Sequence, residues 1–188
     1  MTDPGKQARS ALPGLAFLFA LAAAAPVSAF GQDVAAEPQR ICDALKPDGL
    51  PTGPWATNDD AFQGVVIRNW RCLSEPLPIA GAGVGGFVTA LNYFAEGRLR
   101  ERVETIRLVL NVHQPATRAA GAARFAELAG AMFANLGLAA PPELADAVAA
   151  ARAQTWRPAY GDVRFEVWRA PIERLRLTID LSPGRRRP

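Results

Sequence analysis

The chain has 188 residues, with 21 Lys and Arg, 18 Asp and Glu, a formal net charge of +3, one His and two Cys. This near balance, with acidic residues scattered among the arginines, gives no basic face for nucleic acid. One His and two Cys are too few for a metal site with several such ligands, so we expect no metal and no cofactor.

The first 29 residues have the three zones of a secretory signal peptide. A polar start with Lys6 and Arg9 precedes an apolar run over 12–25, and small residues end the segment at Ala29. That run of about 14 residues is shorter than the roughly 20 that span a bilayer, which favours a cleaved signal over a retained anchor. We therefore expect cleavage near Ala29 and a periplasmic or secreted protein with no stable membrane span. The expected organisation is a signal peptide over 1–29, a leader over 30–36, one domain over 37–182 and a disordered tail over 183–188.

The cysteines predict one structural disulfide. Cys42 and Cys72 are the only two in the chain, and an exported protein with two cysteines is expected to pair them. Their spacing lacks the Cys-x-x-Cys pattern of redox pairs, which favours a structural bridge. In the chain-entropy model, closing a loop of this length raises the free energy of unfolding by about 3.6 kcal/mol.

The first elements of the mature chain are a helix, a loop and a strand. A helix is expected from Pro38, because proline suits a first helical turn and apolar residues follow at helical spacing. Turn-forming residues predict a loop over 46–60, with Trp55 packed on the core from outside. The run 64–72 has strand composition. The glycine-rich segment 81–86 lacks the lysine and the following helix of a phosphate-binding loop, so we expect a flexible connection there.

Two further strands and a long helix follow. The strands are predicted over 87–96 and 104–113, and the second alternates apolar residues at 106, 108, 110 and 112 with mostly polar ones. A helix capped by Thr117 and closed by Gly137 has apolar residues at i, i+3, i+4 and i+7. We expect this helix to pack on the apolar face of the second strand.

The last third predicts a second helix and a hairpin. The helix is alanine-rich and runs from Pro141 to about Gln154, and two strands with inward apolar residues follow around 163–167 and 175–181. The predicted fold class is therefore α+β. It consists of an antiparallel sheet of about five strands with one or two helices packed on one face, in the order α-β-β-β-α-α-β-β.

The candidate chemistry lies on the outward face of one strand. Arg107, Asn111 and His113 share that face by period two and could converge on an anionic ligand. Gly-x-Ser-x-Gly is absent and His113 is the sole histidine, so no catalytic residue is assigned.

The order of elements over 37–181 resembles the α-β-β-β-α-β-β plan of the type III secretion chaperone-like fold. The chain also resembles short exported bacterial proteins whose families have no known function. The first resemblance implies a chaperone-like protein that holds an extended segment of a partner and can form a homodimer.

These observations predict a non-enzymatic protein that binds another protein or peptide in the cell envelope, through a sheet edge or a sheet face. One alternative is a small periplasmic ligand-binding protein or hydrolase that uses the His113 strand face. Another is a structural envelope component with no small ligand.

Overall fold

The computed structural model describes residues 34–62, 65–79 and 87–181, and for residues 58–62 and 65–68 it describes the main chain alone. The predicted signal peptide over 1–29, the glycine-rich segment 81–86 and the predicted tail over 183–188 lie outside the described residues and stay predictions.

Helices and strands alternate in blocks along the chain. The helices are α1 (Pro38–Cys42), α2 (Arg118–Leu136) and α3 (Leu144–Ala149). The strands are β1 (Ala56–Phe62), β2 (Val65–Leu73), β3 (Leu77–Pro78), β4 (Ala90–Gly97), β5 (Thr105–Val112), β6 (Gln154–Trp156), β7 (Asp162–Trp168) and β8 (Glu173–Asp180).

All strands belong to one antiparallel sheet. Its order is β1-β2-β4-β5-β8-β7-β6, and β3 pairs with the start of β4. β5 lies at the centre, between β4 and β8, and its eight residues pair fully with β8. The predicted α+β class is confirmed, and the described residues contribute eight strands to the sheet where about five were expected.

The core lies between the sheet and α2. The inner face of β5 presents Ile106, Leu108 and Leu110, all fully buried, and α2 presents Phe125 and Met132, also fully buried. This confirms the predicted packing, because helix period and strand period each bring their apolar residues to one side.

A glycine ends helix α2. Gly137 has φ of 68°, a left-handed conformation that glycine adopts without steric cost, and its N–H donates to the Ala134 carbonyl. The Leu138 N–H donates to the Phe133 carbonyl at 2.9 Å, which satisfies a second carbonyl of the last turn. The predicted role of Gly137 is confirmed. Thr117 precedes the helix but its side chain makes no capping hydrogen bond, so that part of the prediction is wrong.

The predicted disulfide is present and joins α1 to the sheet. Cys42 and Cys72 are bonded, with their Cα atoms 5.9 Å apart. Beside the bridge the Tyr93 hydroxyl donates to the Ile41 carbonyl at 2.6 Å. Both contacts fix the amino-terminal helix on the inner face of β2 and β4.

Three strands were missed and one helix was predicted too long. The expected loop over 46–60 contains the start of β1, whose composition is poor in β-branched and aromatic residues. β3 and β6 have only two and three residues. The alanine-rich helix was expected to reach about Gln154, but α3 ends at Ala149 and Gln154 begins β6.

Candidate functional site

β2 is longer than the strand beside it. It pairs with β1 from Val65 to Arg71, but with β4 only from Trp70 to Leu73. β4 ends at Gly97, opposite Trp70, where the chain turns back towards β5. In the described part of the chain, no strand pairs with residues 65–69 on the β4 side. The β1–β2 hairpin therefore extends about 17 Å past the end of β4, at roughly 3.4 Å per residue.

The direction of the main-chain groups along this open edge follows from hydrogen bonds further down the strand. The Ser74 N–H donates to the Tyr93 carbonyl at 2.8 Å, and the Leu73 carbonyl accepts from Gly53 on the opposite side. Main-chain groups alternate in direction along an antiparallel strand. Val66 and Arg68 therefore direct their N–H and C=O groups away from β1, towards the open edge.

The turn that follows β4 lies at the end of the open edge. Its Leu99 forms a bridge with Arg102, which closes the turn. The guanidinium carbon of Arg100 lies 5.6 Å from the centre of the Trp70 ring. Trp70 in turn stacks on Trp55 at 6.4 Å, and the Trp55 indole N–H donates to the Arg100 carbonyl at 2.7 Å. Arg100 is therefore held at both its main chain and its side chain.

The charges of this turn are incompletely balanced. Arg98 pairs with Glu104, with its Nε 3.1 Å from a carboxylate oxygen. Arg100 and Arg102 form no ion pair with a carboxylate of the described residues. Leu99 between them is 51% exposed. The open edge thus ends beside two arginines that have no carboxylate partner among the described residues, and beside an exposed apolar side chain.

The outer sheet face, opposite the helices, carries arginines stacked on aromatic rings. Arg107 pairs with Glu96 at 2.7 Å and lies 5.3 Å from the centre of the Phe94 ring. Arg176 lies 4.3 Å from the centre of the Trp168 ring. Such stacking is a cation–π contact and covers one side of each ring.

The three residues predicted to bind a ligand all lie on this outer face, but each has a different neighbour. Arg107 pairs with Glu96, the side-chain amide oxygen of Asn111 (Oδ1) accepts from Arg174 Nε at 2.7 Å, and the His113 ring stacks on Phe87 with centres 5.5 Å apart. Six residues of strand separate Arg107 from His113 by about 20 Å. The structure therefore does not bring the three together around one point, and their ligand role stays a prediction.

A buried threonine that was not predicted holds the main chain at His113. The Thr89 hydroxyl accepts from the N–H groups of His113 and Gln114 at 3.1 and 3.2 Å. It also lies 2.7 Å from the Thr117 hydroxyl, which donates to the Gln114 carbonyl. Threonine is common in strands, so the sequence gives no signal for this role.

A cavity of about 290 Å³ lies between α2 and the start of α3. Small residues such as Ala126 and Gly130 line it, together with Glu143, Leu144 and Asp146. No sequence pattern indicates this cavity, because alanines and glycines define a surface only once the two helices are placed.

The described residues hold no group of three or more His, Cys, Asp or Glu side chains arranged to bind a metal ion. No helix in the described part of the chain is both long and apolar enough to cross a membrane.

Burial raises the pKa of Tyr93 and raises the pKa of Tyr160 to about 12. Neither tyrosine lies at the open edge or on the outer face.

Comparison with known proteins gives a family. No curated protein and no solved structure matches the chain, so the resemblance to the type III secretion chaperone-like fold is not confirmed. One family model, described as a family of unknown function, matches residues 3–188. The prediction of an uncharacterised family is confirmed, and the chain belongs to the family of unknown function DUF6030.

Proposed function

We propose that this protein is exported and that it binds an extended segment of a partner protein, which adds a strand to the open edge of β2. The observation that carries this proposal is the unequal length of β2 and β4: none of the described strands lies beside the main-chain groups of Val66 and Arg68 on that side.

Open sheet edges are known recognition sites in other proteins. Natural proteins usually shorten, twist or cover an exposed edge because it pairs readily with other chains. An isolated two-stranded hairpin is also marginally stable in water, so a third strand would stabilise the extended part of the β1–β2 hairpin. Strand addition would therefore give the main-chain groups of the edge hydrogen-bond partners and would stabilise the hairpin.

The strength of such binding can be estimated from the main chain. Val66 and Arg68 offer two N–H and two C=O groups, and each hydrogen bond contributes about 1 kcal/mol net. That total of about 4 kcal/mol only reaches the lower limit of the association cost. Side chains beside the edge must therefore supply the rest of the affinity and the selectivity.

Export is supported by the amino-terminal sequence and by the disulfide. Residues 1–29 have the zones of a signal peptide, and the Cys42–Cys72 bond is of a kind that persists in oxidising compartments. Fractionation of cells that express the full chain is expected to recover a shortened, disulfide-bonded form from the periplasm or the medium.

The binding proposal is tested with two proline variants. Val66→Pro removes an N–H from the open edge of β2, whereas Ala61→Pro removes an N–H from the far edge of β1. The two residues are paired across the hairpin, and their main-chain N–H groups point in opposite directions, away from the other strand. Both residues are uncharged, and Val66→Ala controls for the lost side chain.

In chemical crosslinking of envelope extracts, partners captured by the wild type and by Ala61→Pro are expected to be lost with Val66→Pro. Equal capture by all variants would contradict the proposal. Sedimentation that shows a Val66-dependent homodimer and no other partner would also contradict it.

A second candidate function is binding of a small anionic ligand on the outer face. The hydrogen bond from Arg174 Nε to Asn111 orients a guanidinium whose two terminal nitrogens have no hydrogen bond or ion pair to the described residues. Phosphate or citrate is then expected to raise the melting temperature of the wild type and to have no such effect on Arg174→Ala. Equal shifts in both proteins would exclude this candidate.

A further inference from the structure

The geometry points to an acidic side chain at the end of the partner segment, held by Arg100. This inference rests on the proposed function and adds the chemistry of the partner. It concerns the place where the open edge of β2 meets the turn over 98–102.

A strand added to the open edge would lie in line with β4. Pairing of β2 with β4 stops at Trp70. Arg68 is the residue nearest to Trp70 whose main-chain N–H and C=O groups point to the open edge. These two positions are about 7 Å apart along the strand. The end of the added strand nearest to β4 would therefore border the turn over 98–102.

The Arg100 side chain is already held in a fixed position in the free protein, where it could bind a carboxylate. Its guanidinium lies over Trp70, and its carbonyl accepts from the Trp55 indole. An arginine already held in place loses less side-chain entropy when it binds, and its planar donors match a carboxylate in two-point geometry. No carboxylate of the described residues occupies those donors.

The surroundings favour an anion over a cation. Arg98 is neutralised by Glu104, while Arg100 and Arg102 have no carboxylate partner among the described residues. Glu101 is the other charged side chain of the turn, so the unpaired charge there is positive on balance. Leu99 is exposed beside these arginines and offers apolar contact to the residue next to the acid. An extended segment with an acidic residue beside an apolar one fits this end of the edge.

The test uses synthetic strand peptides with blocked ends. Three peptides of alternating Thr and Val carry Glu, Gln or Lys at both end positions, which covers either strand direction. Binding to the disulfide-bonded chain is measured by calorimetry at low salt for the wild type, Arg100→Gln and Val66→Pro.

The wild type is expected to bind the Glu peptide about fivefold more tightly than the Gln peptide, as for one partly exposed ion pair, and the Lys peptide most weakly. Arg100→Gln should bind the Glu and Gln peptides equally, with the affinity for the Gln peptide unchanged. The preference for Glu should also shrink as salt is added.

Two kinds of failure are distinguishable. Equal affinity of the wild type for all three peptides, together with loss of binding in Val66→Pro, would overturn the acidic preference and leave strand addition intact. Binding that is unaffected by Val66→Pro, or no binding of any peptide at millimolar concentration, would overturn both.

Discussion

Among single residues, Thr178 on the outer sheet face has a buried hydroxyl with no hydrogen bond to the described residues. Thr178 lies in the middle of β8, opposite Arg107 on one side and Arg164 on the other, and is only 2% exposed. Its Oγ1 has no hydrogen-bond partner among the described residues. A buried polar group without a partner keeps its desolvation cost, so this hydroxyl lowers the stability of the folded state.

Thr178→Val is therefore expected to raise the free energy of unfolding by about 1 kcal/mol, because valine keeps the branched shape and removes the hydroxyl. Urea denaturation measures this change. Thr117→Val is the matched control and should lower stability by a similar amount, since the Thr117 hydroxyl is hydrogen-bonded to the Gln114 carbonyl. A Thr178→Val variant no more stable than the wild type would contradict this account of the outer face.

At the scale of elements, the sharp end of β4 creates the open edge. Gly97 pairs with Trp70, and a Cβ atom on it would collide with the carbonyl oxygen of Arg102. The chain can therefore turn back after β4 only with a residue that has no side chain there. If the turn moved outward, residues past 97 would be free to continue along β2 and to fill the edge.

Gly97→Ala is expected to lower the free energy of unfolding by about 1–3 kcal/mol, the usual cost of forcing extra volume into a packed site. Gly130→Ala is the control of opposite sign. A Cβ at Gly130 meets nothing within 4 Å, and alanine in a helix is about 0.5–1 kcal/mol better than glycine. Thermal unfolding of both variants gives the comparison, and equal changes in both would contradict the role assigned to Gly97.

Elements with a clear period were predicted, and elements formed through pairing were not. β5 and α2 were found because their apolar residues recur every second residue or every three to four residues. The composition of β1 predicts a loop because its residues have weak strand preference, and main-chain pairing with β2 decides its structure. A sheet edge or face was predicted as the binding surface. The open edge itself depends on where β4 stops relative to β2, which no local pattern of residues contains.

At the scale of the whole molecule, the disulfide joins the amino-terminal helix to the strand that carries the open edge. The Cys42–Cys72 bridge closes a loop with a sequence separation of 30 residues, and both sulfurs are buried. It lies near the paired end of β2, so it anchors the hairpin without constraining its extended part.

Reduction of the disulfide, or the double change Cys42→Ala and Cys72→Ala, is expected to lower the free energy of unfolding by about 3.6 kcal/mol in the chain-entropy model. Urea denaturation with and without reductant measures this. The double variant serves as the control, because reductant should have no further effect on it. Peptide binding at the open edge should persist wherever the reduced protein remains folded, and its loss from folded, reduced protein would show that the bridge shapes the edge itself.

A partner segment that adds to the open edge of β2 would protect the main-chain amides of that edge from exchange. Amide hydrogen exchange followed by NMR, with and without the Glu-ended strand peptide, tests it at single residues. We predict that the Val66 and Arg68 amides exchange fast in the free protein and slow strongly on binding, while the Thr57 and Asp59 amides on the far edge of β1 do not change. Protection of Thr57 and Asp59 in place of Val66 and Arg68, or binding with no change at either edge, would contradict it.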